Sequence, residues 1–510
     1  MDQKKRSRIV TILTYLYLVP LFCCYLAAFL FGWFQTAYME LYQEIEFPIY
    51  ESDHPLLLLL LGLLVIGSFW FLEQKFHFFS THSGQLQKIA LFTAGVCSLL
   101  AVLIYRCNAA CDSATVSDIA VAFLSGNYSS FSIDEYLFHY PHQLGLVAFL
   151  EGIYYIFGVE NFFVFQLLNV AAIVCIVYCL HRITAILFDN QTIQGICSVV
   201  TMGLLPLFLY ATFVYGDIIG MALSFCGICL VLDYLQTGRK QDIPLTCLLM
   251  TFALLLKSNN SILLVAMVIT LLLHAFIQKK WPPVLFTLLL ILTTQLGSGI
   301  LTFSYEKAAG LEQIDSGIPK LAWVAMGLQE NDSQIENGWY NSYNWTIYGN
   351  CNYDTALTNQ ACLDSIQASL QSFLQHPKSG VHFFYKKFIS QWVDPGFQSQ
   401  ITTEWYSRHR EDQSPLALSL IYGTGRTVLY HWMNLYEFMI FLGAVWFGIR
   451  RWKQIPLSQA FVLLCIFGGF LFHMIWEAQA RYVLTYFVLS IPFAACGLYE
   501  LMMGLRPIRK

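Results

Sequence analysis

Long apolar runs separated by short polar stretches extend along almost the whole chain. A bilayer core about 30 Å thick takes roughly 17–25 apolar residues to cross as a helix. On that criterion we predict about twelve membrane helices, within a range of about eleven to thirteen. They lie near 9–33, 55–73, 88–105, 161–180, 192–213, 217–235, 243–257, 260–277, 282–304, 431–449, 456–476 and 481–502. The predicted fold class is an all-α polytopic membrane protein.

Composition supports this class, since 57% of the 510 residues are apolar and only 12% are charged, against roughly 25% charged in soluble domains. The formal net charge of -4 adds nothing, because membrane proteins sort their charges by side. No basic, aromatic-rich surface suggests a nucleic-acid partner.

Most of the 15 cysteines, such as Cys226, Cys229 and Cys465, lie in apolar spans and are expected to act as small hydrophobic residues. Cys351 and Cys362 would be able to form a disulfide in an oxidising compartment.

Lysine and arginine decide the predicted orientation, because short cytoplasmic loops hold the excess of positive charge. Segment 144–158 is apolar, but we predict a helix along the outer surface rather than a span. If it crossed the membrane, the positive residues that follow would move outside, namely Arg182, Arg239, Lys240, Lys279 and Lys280. Segment 243–257 is short and is predicted to pair with 260–277 as a bent or shallow hairpin. Both chain ends are then cytoplasmic, and we expect a bacterial cell membrane as the location.

The same pattern divides the chain into four regions. They are two membrane helices in 1–87, a membrane core in 88–304 with a large external loop at 106–160, an external insert in 305–430, and the last membrane helices in 431–510. Surface helices are expected in the first large loop. The insert is predicted to be mainly helical, with a helix-like pattern at 363–376. It is interpreted as a folded cap, with aromatic stacking on acceptor sugars as the alternative.

Four polar clusters lie on the predicted outer side of the membrane. An ionisable residue near the bilayer centre costs roughly 2.5–3.5 kcal/mol, so charged groups beside apolar spans indicate chemistry. The candidate site residues are Asp112, Asp118, His139, Tyr140 and His142 in the first large loop, Asp217 in Tyr215-Gly216-Asp217, Lys257 in Lys257-Ser258-Asn259-Asn260, and Glu477, Arg481 and Tyr482 near the C-terminus. Glu477 and Arg481 are one helical turn apart in sequence and are expected to meet on one helix face.

Each cluster also has a structural interpretation. Asp217 or Glu477 alone would serve as a helix cap or an interfacial anchor, and Glu477 with Arg481 as a structural ion pair. His139 and His142 lack a cysteine or third histidine at ligand spacing, so hydrogen bonding is favoured over zinc binding. Convergence favours function, because acids from two loops and cations from two others meet at one membrane surface. A carboxylate that accepts a proton from a hydroxyl, with cations on a departing phosphate, suits transfer of a group from a phosphate-linked lipid.

At these residues the sequence resembles the GT-C class of membrane glycosyltransferases, in the branch of protein O-mannosyltransferases and aminoarabinose transferases. The resemblance covers about residues 88–304 and 456–502, in fragments. Asp112 begins the first large external loop, Ala120 follows eight positions later, and a Pro-containing element precedes a surface helix. That element is Tyr140-Pro141-His142-Gln143-Leu144-Gly145, and the later matches are Asp217, Glu477, Arg481, Tyr482 and Pro492.

The resemblance implies a polyprenyl-phosphate-linked monosaccharide as donor, a glycan, lipid or protein as acceptor, and inverting transfer on the outer face. Asp112 would be the general base, Arg481 or Lys257 would bind the carrier phosphate, and Asp217 would orient sugar or acceptor. Further candidates for substrate binding are Asp118, His139, Tyr140, His142, Glu477 and Tyr482. No cofactor is implied. Ser113 follows Asp112 where the family often has a second acid, so a divalent metal is unsupported. Membrane lipid is the remaining expected partner.

Two other functions stay open. A transporter or flippase for lipid-linked sugars would have charges along a path through the membrane and repeat symmetry, and neither is visible in the sequence. A polysaccharide polymerase or ligase would depend more on arginine and histidine than on an acid at the start of the first large loop, so Asp112→Asn discriminates. A structure with Asp112, Asp217 and Arg481 far apart would reject the glycosyltransferase hypothesis.

Overall fold

The computed structural model describes residues 3–42, 45–331, 335–408, 410–453 and 455–504. Within these ranges ten helices are long and apolar enough to cross a membrane, and a bent helix pair adds an eleventh. With the shorter apolar helix at Asp242–Leu256, these elements account for the predicted helix pattern. The class is confirmed: the chain is an all-α integral membrane protein with many spans. The orientation of the termini stays a prediction, and residues 1–2 and 505–510 lie outside the described part.

The N-terminal region contains a small sheet that the pattern did not predict. Its elements are α1 (Gln3–Phe34), β1 (Gln35–Tyr42), β2 (Ile45–Ser52), α2 (Pro55–Phe76) and α3 (Phe78–Tyr105). The two strands form an antiparallel hairpin between two apolar helices. Helix α3 begins earlier than the predicted 88–105, because Phe79 and Leu86 are buried and extend its packed face.

The first large loop is folded into short helices, as predicted. They are α4 (Asp112–Leu124), α5 (Tyr136–His139) and α6 (Leu144–Phe157), with 3-10 turns at Ser129–Phe131 and Pro141–Gln143. Helix α6 has 14 residues and is therefore about 21 Å long. That is too short for a bilayer core of about 30 Å, which agrees with the predicted surface helix at 144–158.

The central core contains seven helices. They are α7 (Phe162–Leu187), α8 (Gln191–Met202), α9 (Leu205–Leu209), α10 (Asp217–Thr237), α11 (Asp242–Leu256), α12 (Ser261–Gln278) and α13 (Pro282–Ala309). The predicted single helix at 192–213 is wrong, because the chain bends by 50° between α8 and α9. Pro206 lies in the first turn of α9, where it cannot continue an incoming helix. Helices α11 and α12 follow one another through a 3-10 turn at Ser258–Asn260, but the predicted pairing as a hairpin is wrong, because α11 packs against α10 and α13 whereas α12 packs against α21 and α13.

The insert is helical, and the last three membrane helices follow it. The insert comprises α14 (Leu321–Gly327), α15 (Tyr343–Asn350), α16 (Thr355–Gln375), α17 (Pro377–Trp392), α18 (Ser399–Ser407) and α19 (Pro415–Tyr422). The membrane helices are α20 (Thr424–Arg451), α21 (Leu457–Ile475) and α22 (Ala480–Gly504). Cys351 and Cys362 are free cysteines.

Two membrane helices lie at the centre of the bundle. In their most apolar stretches, 83% of α22 and 72% of α10 is buried, against 17% of α2. Because α10 begins with Asp217 and α22 begins at Ala480, the polar ends of the two most buried helices lie inside the protein rather than at its lipid-facing edge.

Candidate functional site

Close backbone contacts at the end of α11 determine where Asp217 and Lys257 lie. A Cβ atom on Gly216 would lie 1.9 Å from the carbonyl oxygen of Leu256, so only glycine permits this approach. A Cβ atom on Gly145, at the start of α6, would likewise lie 2.0 Å from the carbonyl oxygen of Leu255. The start of α10, the start of α6 and the residue after α11 therefore meet at one point.

At that point Asp217 and Lys257 form an ion pair. Lys257 Nζ lies 3.1 Å from Asp217 Oδ2, and the side chains are 14% and 17% exposed. The ammonium also lies 4.6 Å from the ring centre of Tyr215 and 5.4 Å from that of Tyr482. Burial lowers the pKa of Lys257, against the opposing effect of Asp217. A lysine enclosed by one carboxylate and two aromatic faces is positioned for a further anion.

Arg481 lies in the first turn of α22 without an ion-pair partner. Its guanidinium lies 5.7 Å from the ring centre of Phe213 and 5.4 Å from that of Tyr482. Nε is buried and has no hydrogen-bond partner, and within the described ranges no carboxylate oxygen lies within 4.0 Å of its guanidinium. A buried guanidinium with a free Nε donor is a binding group for a carboxylate or phosphate.

These groups line one cavity. Asp217, Lys257, Arg481 and Tyr482 lie together in its lining. Two of these side chains are cationic and one is anionic, so the wall carries an excess of positive charge. The cavity is therefore suited to an anion that brings at least one negative charge.

Asp112 lies beside this cationic cavity. It is the first residue of α4, after a turn in which Cys111 has a φ of 51°, and a carboxylate is stabilised at a helix N-terminus. Its side chain is exposed. Burial, with contributions from the charge of Asp112, raises the pKa of Tyr136 and Tyr215, and Arg481 acts on both tyrosines in the opposite direction. Asp112 and Arg481 therefore lie within electrostatic range of the same groups.

Glu477 is buried in the connection between α21 and α22. The predicted helical-turn pairing with Arg481 is wrong, because α22 begins only at Ala480 and no ion pair joins the two side chains within the described ranges. Burial raises the pKa of Glu477 to about 7, and Arg481 is the main opposing charge. The insert holds this connection, since Ala478 N donates to Gly338 O at 2.9 Å and Lys387 Nζ donates to Trp476 O at 2.8 Å.

Aromatic side chains form the neighbouring wall. The rings of Tyr140 and His142 each lie 6.2 Å from Trp323, which stacks on Trp476 with ring centres 5.8 Å apart and planes 6° apart. Lys257 acts electrostatically on His142, and Glu477 on Tyr140. Of the predicted residues in the first large loop, these two lie with Asp112 near the cavity.

His139 and Asp118 do not join the site. His139 is 2% exposed, and its Nε2 contacts Asp134 Oδ1 at 3.0 Å. Its ring is packed among aromatic side chains that include Trp345 and Tyr348 of the insert. Asp118 is exposed on α4, facing away from the buried residues of that helix. The geometry therefore does not support a role in substrate binding for either residue. It supports a structural role for His139.

Two polar residues of the site lie in regions where sequence reasoning found no motif. Gln398 of the insert accepts a hydrogen bond at Oε1 from Arg481 N, at 2.9 Å, and its Nε2 donates to Glu46 Oε2 at 2.6 Å. Glu46 belongs to β2 and lies within electrostatic range of Arg481 and Asp112. In the sequence, Glu46 is recognisable as a carboxylate in a short polar link between two apolar spans. Its place beside the cavity depends on tertiary contacts.

Comparison with known families bears on the central core. Residues 142–296 match the family model of dolichyl-phosphate-mannose-protein mannosyltransferase. The resemblance to GT-C class membrane glycosyltransferases is confirmed. No curated protein matches the chain. The family implies a GT-C glycosyltransferase that uses a lipid-linked sugar.

The matched segment contains only part of the candidate site. It includes Asp217 and Lys257, whereas Asp112 precedes it and Glu477 and Arg481 follow it. Asp217, Lys257 and Arg481 line the same cavity, and Asp112 and Arg481 both act electrostatically on Glu477.

Proposed function

We propose that the protein transfers a monosaccharide from a polyprenyl-phosphate carrier to an acceptor hydroxyl on the outer face of a bacterial cell membrane, with inversion at the anomeric carbon. The observation that carries the proposal is the cavity in which Arg481 and Lys257 face one carboxylate, Asp217. A phosphate on a lipid chain matches both the excess positive charge and the location at the end of membrane helices. The acceptor is a glycan, a lipid or a protein.

Arg481 is proposed to bind the carrier phosphate. In the reaction the bond between the anomeric carbon and the phosphate oxygen breaks, and that oxygen gains negative charge. Fixed cationic donors stabilise such charge most strongly where water is excluded. Arg481 has a buried Nε donor without a partner for this purpose, and Lys257 supplies a second cation in the lining of the same cavity.

Asp112 is proposed to be the general base. The acceptor oxygen attacks the anomeric carbon from the face opposite the phosphate, and its proton passes to a carboxylate. Asp112 is exposed beside the cavity rather than within its lining, which is where an acceptor would enter. Unlike Asp217, which is paired with Lys257, Asp112 has no cation within 4.0 Å among the described residues.

The remaining groups are proposed to orient the substrates. Asp217 holds Lys257 and orients the sugar or the acceptor. Tyr140, His142 and Tyr482 provide aromatic and hydrogen-bonding surface, and Glu477, with its raised pKa, is able to donate a hydrogen bond when protonated. No metal or other cofactor takes part in this scheme. The orientation with both termini in the cytoplasm follows from the positive-inside rule.

Asp112→Asn tests the proposal. Purified protein in detergent is incubated with a panel of radiolabelled polyprenyl-phosphate hexoses, mannose included, and with an envelope fraction as acceptor. We expect Asp112→Asn to lower transfer by about 10²–10⁴-fold, the range for loss of a general base. Binding of unglycosylated polyprenyl phosphate, measured by its effect on thermal unfolding, is expected to persist.

Asp118→Asn is the matched control, because Asp118 is an exposed acid on the same helix, α4. It is expected to keep full transfer activity. Full activity of Asp112→Asn would reject the role of Asp112. Failure of the wild-type protein to transfer any hexose of the panel, together with failure to bind polyprenyl phosphate, would reject the proposed donor.

A further inference from the structure

Four cysteines of the central core converge between two membrane helices. Cys175 and Cys179 are four residues apart on α7, and Cys226 and Cys229 are three residues apart on α10. Both spacings put the pair on one helix face. The sequence treats these residues as scattered small hydrophobic side chains, whereas the structure assembles them into one cluster.

The sulfur atoms are close enough to share a ligand. Cys175 Sγ lies 3.4 Å and Cys179 Sγ lies 3.6 Å from Cys226 Sγ, and the three sulfur atoms all lie within 4.8 Å of one another. Thiolates on a zinc ion at about 2.3 Å are about 3.8 Å apart in tetrahedral geometry. Binding an ion would therefore change the separations of these sulfur atoms by no more than about 1 Å. In the described part of the chain, no other group of three cysteine, histidine or acidic side chains has this geometry.

A fourth sulfur and a cation complete the surroundings. Cys229 is one turn further along α10, and its Sγ contacts the carbonyl oxygen of Cys179 at 3.7 Å. Arg182, three residues after Cys179, lies within electrostatic range of Cys229. Such a cation favours the negative charge that a metal-thiolate centre carries.

The position of the cluster also favours a metal over a disulfide. Cys179 lies three residues before Arg182, and Cys229 lies four residues before Asp233, which is about 5 to 6 Å along a helix. Arg182 and Asp233 form an ion pair. On the predicted orientation this ion pair lies at the cytoplasmic end of the bundle, where thiols stay reduced. Cys226 lies nine residues after Asp217 and seven before Asp233, or roughly 14 and 11 Å along α10. The cluster is therefore near the middle of the helix, and it shares no residue with the sugar-transfer cavity.

We propose that Cys175, Cys179 and Cys226 bind one soft, thiophilic metal ion of the Cu⁺ or Zn²⁺ class, with Cys229 as an additional donor. Thiolate sulfur is the ligand that these ions prefer. On binding, each coordinating thiol loses its proton to water and forms a sulfur–metal bond, with no change in oxidation state. The ion would fasten α7 to α10 near the middle of the two helices.

Metal retention by the full-length protein tests the proposal. The reduced protein in detergent is stripped with a chelator, equilibrated separately with Zn²⁺ or Cu⁺, desalted, and analysed for metal by mass spectrometry. We expect the wild type to retain about one equivalent of one of the two ions, and the two arms identify which. Cys226→Ser, which removes the shared sulfur, is expected to retain at least about tenfold less.

Cys465→Ser is the matched control, since Cys465 is a buried cysteine of another membrane helix, α21, and it is expected to retain wild-type metal. A second measurement needs no variant: bound metal should protect Cys175 and Cys226 of the wild type from alkylation by a maleimide. Absence of retained metal in both arms, equal retention by Cys226→Ser, or a disulfide between Cys175 and Cys226 in freshly purified protein would overturn the proposal.

Discussion

The two ends of α10 carry similar residues in different electrostatic arrangements. We call the C-terminal end of α10 its inner end and the N-terminal end its outer end, following the predicted orientation. At the inner end Asp233 contacts Arg182 Nη2 through both carboxylate oxygens, at 2.9 and 3.1 Å, and Arg239 lies 3.5 Å from Asp233 and 3.4 Å from Asp242. Two cations therefore face two acids. At the outer end Asp217 pairs with Lys257, and Arg481 is left over. Both ends are charged, but only the outer end has charge to offer a ligand.

Exposure to solvent sharpens this contrast. The inner cations Arg182 and Arg239 are 47% and 46% exposed, so water screens their ion pairs, which are each worth about 0–1 kcal/mol. Lys257 is 14% exposed, and Arg481 has a buried Nε without a partner. Electrostatic attraction is larger where water is excluded. An unpaired, buried cation is therefore the feature that distinguishes a binding site from a stabilising network.

The largest expected effect comes from removing the unpaired cation. Arg481→Met is expected to lower sugar transfer by about 10²–10³-fold, since loss of one donor to a developing anion costs that much in other enzymes. Binding of polyprenyl phosphate should weaken in parallel, as measured by its effect on thermal unfolding. Arg239→Met removes a paired cation from the inner end and is expected to change transfer less than about twofold. Equal losses in the two variants would remove the distinction between the two ends.

The acids at the two ends of α10 should differ in their effect on stability. Asp217→Asn leaves Lys257 without a carboxylate in a largely buried position and is expected to lower the free energy of unfolding by about 2 kcal/mol, less than for a fully buried pair. Asp233→Asn removes the partner of half-exposed arginines and should cost less than about 1 kcal/mol. The melting temperatures of the two variants in detergent test this order, and the reverse order would contradict it.

The smallest expected effect is a pH dependence of carrier binding. Burial raises the pKa of Glu477 to about 7, so this carboxylate loses its charge as the pH falls from 8 to 6. Burial also lowers the pKa of Lys387 to about 7, and this amine gains charge over the same range. Both changes make the surroundings of Arg481 more positive. A polyprenyl-phosphate sugar is a phosphodiester and keeps one negative charge from pH 8 to pH 6, so we expect it to bind about threefold more tightly at pH 6 than at pH 8.

Glu477→Gln separates the two groups. Glutamine is neutral at every pH, so binding at pH 8 should approach the wild-type value at pH 6, and the remaining slope reports Lys387. A titration of the binding of the polyprenyl-phosphate sugar at about four or five pH values is sufficient. An unchanged slope in Glu477→Gln would assign the pH dependence elsewhere, whereas weaker binding at low pH in the wild type would reverse the predicted sign.

Local patterns in the sequence predicted much of the backbone. Apolar length identified the membrane helices, and the distribution of lysine and arginine separated the surface helix α6 from the spans on either side. The same patterns failed where one residue interrupts them, as at Pro206, which divides a predicted helix in two. They also missed the hairpin of β1 and β2, because a short polar link gives little periodicity from which to predict strands.

By itself, the sequence determined the membrane class and the candidate acids and cations, because hydrophobic length, charge and residue type are local properties. Only the tertiary structure decided which of these groups are paired: Asp217 with Lys257 and His139 with Asp134, whereas Arg481 is left free. It also brought Glu46 and Gln398 to the site and assembled the cysteines between α7 and α10. Pairing and burial depend on contacts between residues distant in the chain, and no local pattern records them.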